Sequence, residues 1–530
     1  MGNMFKEGLN RKQQLLFPPS IDDYIGKDNI ARTIDSYVEI LDLSALGFMG
    51  SKANNMLDGQ PAFHPGLLLK IYIYGYLNKI RSSRKLETEI KRNIEMMWLT
   101  QGLTPSYKTI ANFRKDHPEP LKKVFKEFVL LCKNIELIEG KLVAIDGAFL
   151  RANASKNQLV MKSTTTKDLE NIDSKIEKYL TSLDYSDRED KQNDVITPLT
   201  DNIDKLKIKK KKLEDDLAML EKLGTNQYCK SDPDANLMKK PAHNLLAYNT
   251  QIAVDNSYKF IVATDVSSKG SDLDQLHSMA TQAKDAVQNN AMVAVADTGY
   301  YSSKEIKKCV DDNIEVVVPI ADNQKPQKVR GKFSRDAFIY NQESDNYTCP
   351  NDKILKKAIS TQKKNDKVNF IYRGTSAMCK ACPLREQCLP EKTACKSIYR
   401  WEHEAIAEMH VKKMQTDKAK AIIKQRGSIV EHPFGTIKQN LGWSHFLVRG
   451  KEKVAGENAL IMFAYNFKRL LNLIGAALFQ KLLIALKEGN IEAVRKEIAA
   501  YIAGFWLIRD YFAQKSVLSD FRCKNMVNLR

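Results

Sequence analysis

No stretch of this 530-residue sequence reaches the ~20 uninterrupted apolar residues that cross a bilayer. The best attempt, Ala459 to Leu486, is broken by Lys468, Arg469 and Lys481 and reads as a core helix. The N-terminus lacks the apolar region of a secretory signal, so a cytoplasmic protein with no membrane partner is expected. The cysteines number only nine, an odd count, and several are clustered, which argues against a disulfide framework and for thiols or metal. Acid is the scarcer charge: 64 Asp and Glu against 83 Lys and Arg leave a formal charge of +19 and a pI near 9.2, which favours a polyanionic partner. Glycine is missing altogether from Lys162 to Leu223.

What is present centres on carboxylates that follow apolar runs. Leu142-Val143-Ala144-Ile145 is too short for a helix and reads as a buried strand ending in Asp146-Gly147. A carboxylate at such a strand end lies at the sheet edge where open α/β folds place their chemistry, although Asp-Gly after a strand is also a hairpin signal. Met292 to Ala296 repeats the design and delivers Asp297. A third candidate is Glu431, among Ile429, Val430, Phe434 and Ile437, where an unpaired carboxylate would be costly. Glu402, Glu404 and Glu408 belong instead to a charged helical run that reads as a solvated face. Three carboxylates brought together repel unless a cation sits among them, and two hard divalent ions ~3.5 to 4 Å apart clamp both oxygens of a phosphodiester displacement.

The remaining chain divides by composition. Residues 1 to about 140 alternate helical runs with breaks at Pro18-Pro19, Gly59 to Pro65 and Gly102 to Pro105. A helix from Ser82 to Met96 has Leu86, Ile90 and Ile94 as its apolar stripe. In a following helix, Ser106 to Lys115, Ile110 and Phe113 face the core while Lys108, Asn112, Arg114 and Lys115 stay outside, compatible with a helix-turn-helix or with a bundle bearing a solvated basic face. Two apolar stripes, Leu169 to Leu183 and Leu199 to Leu220, the second with Lys210 in its heptad seam, predict a helical hairpin with its turn at Asp184 to Pro198. Strands at Ala247 to Val254 and Phe260 to Val266, a helix from Asp272 to Val287, the Asp297 strand, a helix from Ser303 to Asp311 and a strand at Ile314 to Ile320 follow. Asp232-Pro-Asp234 reads as a loop.

A second insertion, about 322 to 417, holds Cys349, Cys379-Lys-Ala-Cys382 and Cys388, with Cys395 to spare. Four thiolates close a tetrahedral structural zinc site; redox thiols or unrelated buried cysteines are the alternatives. Lys424, Glu431 and Lys438 are spaced by seven and share one face of a continuous helix, but Pro433 predicts that the helix either starts there or kinks. Trp443 reads as a core residue, with base stacking by it or by His445 as the alternative.

At these residues the sequence resembles the DDE transposases of bacterial insertion sequences, over nearly the whole chain. Ile145-Asp146-Gly147 with Ala152-Asn153-Ala154-Ser155-Lys156 resembles the first Asp motif and Asp297 to Ser302 the second. Glu431 and Lys438 keep the third motif's interval, whereas Lys424 stands where that signature has Tyr, and Arg426 lies one residue too far from Glu431. The resemblance implies an RNase H-like mixed sheet flanked by helices and an N-terminal all-α DNA-binding domain (1–140). The catalytic core would comprise 141–321, with a helical insertion at 162–224, and 418–455; a Cys-rich zinc insertion (322–417) and a helical C-terminal region (456–530) complete the chain. Asp146, Asp297 and Glu431 would be catalytic and hold two Mg2+ or Mn2+ ions, and Cys349, Cys379, Cys382 and Cys388 a zinc. Lys438, Arg426, Lys424, Lys108, Asn112, Arg114, Lys115 and Lys156 would contact DNA. The implied function is binding of the element's terminal inverted repeats, strand cleavage and strand transfer to target DNA, by a homodimer in the synaptic complex that is nucleoid-associated when bound to DNA. The alternative is a non-catalytic, transposase-derived DNA-binding protein.

Overall fold

The computed structural model describes residues 20–48, 62–188, 193–239, 244–320, 331–364 and 367–504. The expected breaks at Pro18-Pro19 and Gly59, and residues 505–530 of the C-terminal region, lie outside the described residues. The chain forms two compact units: Met1–Glu139 with Gly147–Gly270 and Glu431–Arg530, and Gly140–Asp146 with Ser271–Val430.

The first unit opens with helices. They are α1 (Ile30–Glu39), α2 (Pro65–Leu77), α3 (Ser83–Arg92), α4 (Ile94–Leu99), α5 (Tyr107–Asp116) and α6 (Pro118–Asn134). Proline sets the first turn of α2 and α6, where its missing N–H costs nothing. The helix expected from Ser82 to Met96 is in fact two. Asn93 adopts extended backbone at the end of α3, and its side chain then caps α4 by accepting from Glu95 N at 2.9 Å and Met96 N at 3.4 Å. Leu86 and Ile90 are buried as their spacing predicts, but Ile94, past the break, is 39% exposed.

Strand β1 (Leu142–Arg151) contributes its first residues to the second unit and the remainder to the first. Then β2 (Leu159–Met161) pairs antiparallel with β3 (Gln227–Cys229), and between them run α7 (Lys162–Arg188) and α8 (Asn193–Leu223). The two helices pack on each other, with Ile172, Ile203 and Leu220 buried. Lys210, the odd member of the heptad seam, pairs with Asp173 on the facing helix at 2.7 Å. The turn is shorter than Asp184 to Pro198, because the backbone is helical to Arg188 and again from Asn193. Strands β4 (Asn236–Lys239), β5 (Asn244–Asp255) and β6 (Ile261–Ser267) are antiparallel neighbours.

In the second unit come α9 (Leu276–Val287), β7 (Val293–Val295), α10 (Ser303–Asp311) and β8 (Glu315–Val317). Strand β7 pairs in parallel with β8 and with the first residues of β1. The cysteine-bearing insertion carries a sheet that its sequence did not announce. Strands β9 (Ile339–Asn341), β10 (Asn346–Thr348), β11 (Ile354–Lys364), β12 (Lys367–Arg373) and β13 (Ser397–Trp401) lie side by side in antiparallel order, over a core of Phe338, Tyr347, Leu355, Tyr372 and Ile398. Two short helices, α11 (Ser376–Lys380) and α12 (Arg385–Cys388), bridge β12 to β13. Helices α13 (Glu404–Gln415) and α14 (Asp417–Gly435) follow.

Helix α15 (Lys451–Glu488) returns to the first unit and is its central helix. Contrary to the sequence expectation, its length and composition would suffice to cross a membrane. Here it packs among α1, α2, α6 and β6, and Val454 to Phe467 are buried on every face. Gly475, at φ +76°, interrupts the helix. Gly456 lets α15 approach the start of α6 closely, since a Cβ there would lie 2.5 Å from Pro118 Cα. Gly456→Ala is therefore expected to cost ~1–3 kcal/mol in chemical denaturation, the usual penalty of overpacking, although alanine is the better helix former. A stability equal to wild type would show that the two backbones have room to part.

Candidate active site

Asp146 does not end its strand. The backbone of β1 continues through Asp146 and Gly147 to Arg151, which excludes the hairpin turn. Its position follows from register. Ala144 pairs with Val295, the last residue of the parallel neighbour β7; Asp146 lies two residues further along β1 and Asp297 two residues beyond the end of β7. After β7 the chain turns, and Asp297 caps the short 3-10 turn Thr298–Tyr300 by accepting from Gly299 N at 2.9 Å. Both aspartates are half-buried.

Arg426, on α14, brings a guanidinium to this pair: its Nη1 lies 3.6 Å from Asp146 Oδ1. That Nη1 is buried and makes no hydrogen bond. Helix α14 runs without restart through Pro433 to Gly435, and a π-helical turn, Thr436–Asn440, follows directly. The proline is thus accommodated near the helix end, where few intrahelical bonds remain to be lost. Lys424 and Glu431 share that helix, two turns apart, and both are exposed. The exposure of Glu431 removes the argument that an apolar setting demands a cation for it. Glu431 and the exposed Lys438 belong to the first unit, Asp146, Asp297 and Arg426 to the second. Among the described residues, no three His, Cys, Asp or Glu side chains are grouped so as to hold an ion as they stand. The competing acids already have partners: Glu404 pairs with Arg335 at 2.9 Å and accepts from Trp401 N, and Glu408 takes Arg400.

Of the α5 residues expected outside, Lys108, Asn112 and Lys115 are exposed, but Arg114 is not. It is 5% exposed and its Nη1 donates to Tyr76 OH at 3.0 Å and Glu457 Oε1 at 3.3 Å. Burial works against its charge, yet Tyr76 and Glu457 more than offset this and raise its pKa. Periodicity put Arg114 outside because its partner lies in α15, far along the chain. Lys156 is exposed. Trp443 is a core residue, with its ring centroid 5.3 Å from that of Tyr76. Asp232 and Asp234 do form a loop, whose carboxylates accept from Gly450 N and Lys451 N at 3.0 and 2.8 Å, at the positive end of α15.

The four cysteines singled out by spacing converge. Cys349, Cys379, Cys382 and Cys388 line one cavity of about 30 Å³, the room of one small body, and Cys395 does not line it. Lys353 N and Asn351 Nδ2 donate to the sulfurs of Cys349 and Cys382 at 3.4 and 3.6 Å. Gly374 leaves room beside the cluster: a Cβ there would sit 3.2 Å from Cys379 Sγ and would displace the flexible end of Met378. Burial, and the nearness of the other three sulfurs, push the Cys388 thiol up despite Lys396.

The chain is α/β, with Asp146 on β1, Asp297 just beyond the parallel β7 and Arg426 beside Asp146. Residues 348–471 match the family described as Transposase DDE domain, and residues 19–116 match Transposase domain (DUF772). Both matched families are described as transposase families, and each match covers part of the chain. No curated protein matches the sequence significantly. Among solved structures, a cryo-EM piggyBac transposase synaptic complex with hairpin DNA aligns over 91% of this chain and 78% of that chain, at 9% identity and a TM-score of 0.28; a likeness that low carries no argument.

Proposed function

We propose that this transposase binds the terminal inverted repeats of an insertion sequence, cleaves the DNA at its ends and joins them to target DNA. The observation that supports the reading is the parallel pairing of β1 with β7, after which each delivers an aspartate, Asp146 and Asp297, two residues beyond the Ala144–Val295 pair. The order β1, β5, β6, α9, β7, α10, β8 supports an RNase H-like core. The donors are hard carboxylate oxygens, which suit Mg2+ or Mn2+, and Glu431 is the third of the set. Two such ions, when bound, would activate the attacking hydroxyl and stabilise the leaving oxygen. The chain's own part is to hold Asp146 on β1 and Asp297 at the end of the parallel β7, and to place the Arg426 guanidinium beside Asp146. Lys438, Lys424, Lys108, Asn112, Lys115 and Lys156, all exposed, would meet DNA; Arg114 would not. Joining two ends calls for a homodimer in the synaptic complex.

The non-catalytic reading finds one support: Asp146 already has Arg426 as a cationic neighbour. Incubating the full chain with DNA bearing both element ends, in Mg2+ or Mn2+, decides between them. Nicked or joined ends support the transposase reading; end binding with no broken strand supports the other.

In the insertion, Cys349, Cys379, Cys382 and Cys388 would hold one structural zinc, their side chains turning inward to meet it. N–H groups of Lys353 and Asn351 already meet two of the sulfurs, the kind of outer hydrogen bond that orients metal ligands. Purified protein is expected to carry near-stoichiometric zinc by elemental analysis, and Cys379→Ser with Cys382→Ser to lose it and lower the melting temperature. Zinc-free wild-type protein with an unchanged melting temperature would refute this.

A further inference from the structure

A second polar site lies wholly within the first unit. It is an open cleft of about 840 Å³ beyond the end of β1, five residues past Asp146, and its rim carries Arg151, Lys156, His445 and Arg449. Among the described residues, none that lines it is acidic. Its walls are two segments remote in sequence and fastened together. Arg151 N donates to Ser444 O at 3.1 Å and Phe446 N donates to Arg151 O at 2.9 Å. Asn153 Nδ2 donates to Leu447 O at 2.8 Å, and Arg449 Nε returns a bond to Asn153 O at 2.9 Å. Behind the second wall, Arg81 donates to His445 O at 2.8 Å, while Glu457 accepts from Leu447 N and Val448 N at 2.8 and 3.2 Å.

From this we infer that the cleft binds the sugar-phosphate backbone of a single DNA strand. Three cations that line the cleft with no carboxylate among its described lining residues suit an anion, and their arrival from two pre-set walls suits a strand of spaced phosphates. Leu245, Ala152 and Ala154, with the His445 ring, add a less polar surface against which a base can rest. Burial, with Arg81 and Arg151 nearby, holds His445 below the usual imidazole range, so at neutral pH its ring is uncharged. The inference rests on the proposed function, because cleavage at the element's ends is what would present a free strand.

The test is fluorescence anisotropy of the full chain with a short labelled single-stranded oligonucleotide, titrated with salt. Each phosphate contact to a single strand contributes ~0.7 to the logarithmic salt slope. Arg151→Ala with Lys156→Ala and Arg449→Ala is expected to lower the slope by about 2 and the affinity at least tenfold. Lys156→Glu alone, an exposed change that leaves the walls intact, should lower the slope by roughly 0.7. A wild-type slope in Lys156→Glu, or in a triple variant with native circular dichroism, overturns the inference. So does an equal loss with intact duplex, or displacement of the strand by inorganic phosphate at equal phosphate concentration. If the wild-type chain shows the expected strand binding but cuts no element end, the cleft stands and the transposition mechanism fails. If it cuts ends while the variants bind like wild type, the cleft fails and the mechanism stands.

Discussion

Asp146→Asn and Asp297→Asn are each expected to lower cleavage of an element end by ~10³-fold or more, since losing one charged ligand at a reacting phosphate removes several kcal/mol of transition-state stabilisation. End binding should change by no more than ~2-fold, because in this reading affinity comes from basic side chains rather than from these carboxylates. The substitution is well matched to the structure. Asparagine keeps an oxygen that can accept from Gly299 N, so the turn after β7 survives at position 297. At position 146 the change also frees Arg426 from its acidic neighbour. Arg426→Gln separates the two effects: it should weaken cleavage less than Asp146→Asn and leave the metal requirement in place. Wild-type cleavage by both asparagine variants would remove the aspartates from the chemistry.

The third carboxylate is the weaker assignment, and its test is correspondingly direct. Glu431 is exposed, so only its interval to Lys438 selects it. Glu404 is occupied by Arg335 and by Trp401 N. Glu431→Gln should therefore abolish cleavage and Glu404→Gln should not; the reverse result would move the third ligand into the insertion.

The two aspartates were legible in the sequence because each follows a short β-branched or small apolar run, a local signal that survives without tertiary information. The cysteines were legible for a similar reason: Cys379-x-x-Cys382 is local, and few other thiols competed. Arg114 was misread because helical periodicity sees only its own helix, whereas the charge is satisfied 343 residues away by Glu457. The sheet in the insertion was missed because β9 and β10 are only three residues each and the longer β11 is rich in lysine, which blurs its apolar alternation. The basic cleft was half visible. Lys156 and His445 drew notice, but Arg151 and Arg449 gain meaning only when Asn153 meets Leu447 and Arg449 across 294 and 296 residues.

Glu457→Ala is expected to be the most destabilising single change in the first unit, by ~3–5 kcal/mol, the cost of leaving a buried charge unpaired. Glu457 is fully buried and accepts four bonds: from Arg114 and Tyr76 OH on Oε1, and from Leu447 N and Val448 N on Oε2. Truncation strands all four donors at once. Arg114 keeps Tyr76 OH, the carbonyl of Arg81 at 3.3 Å and the face of Tyr72 at 5.5 Å, but none of these balances its charge. Glu457→Gln, which preserves shape and one acceptor oxygen, should cost less, and Arg114→Met with Glu457→Met less than Glu457→Ala, because removing the pair together leaves no unpaired buried charge, although Tyr76 OH and the N–H groups of Leu447 and Val448 still lose their acceptor. Denaturant unfolding of the three variants measures this order. Because Glu457 fastens the backbone of Leu447 and Val448, Glu457→Gln should also weaken single-strand binding at the 445–449 wall while the Asp146 and Asp297 chemistry persists. If Glu457→Ala unfolds within ~0.5 kcal/mol of wild type, the buried network is not what ties α15 to the N-terminal helices.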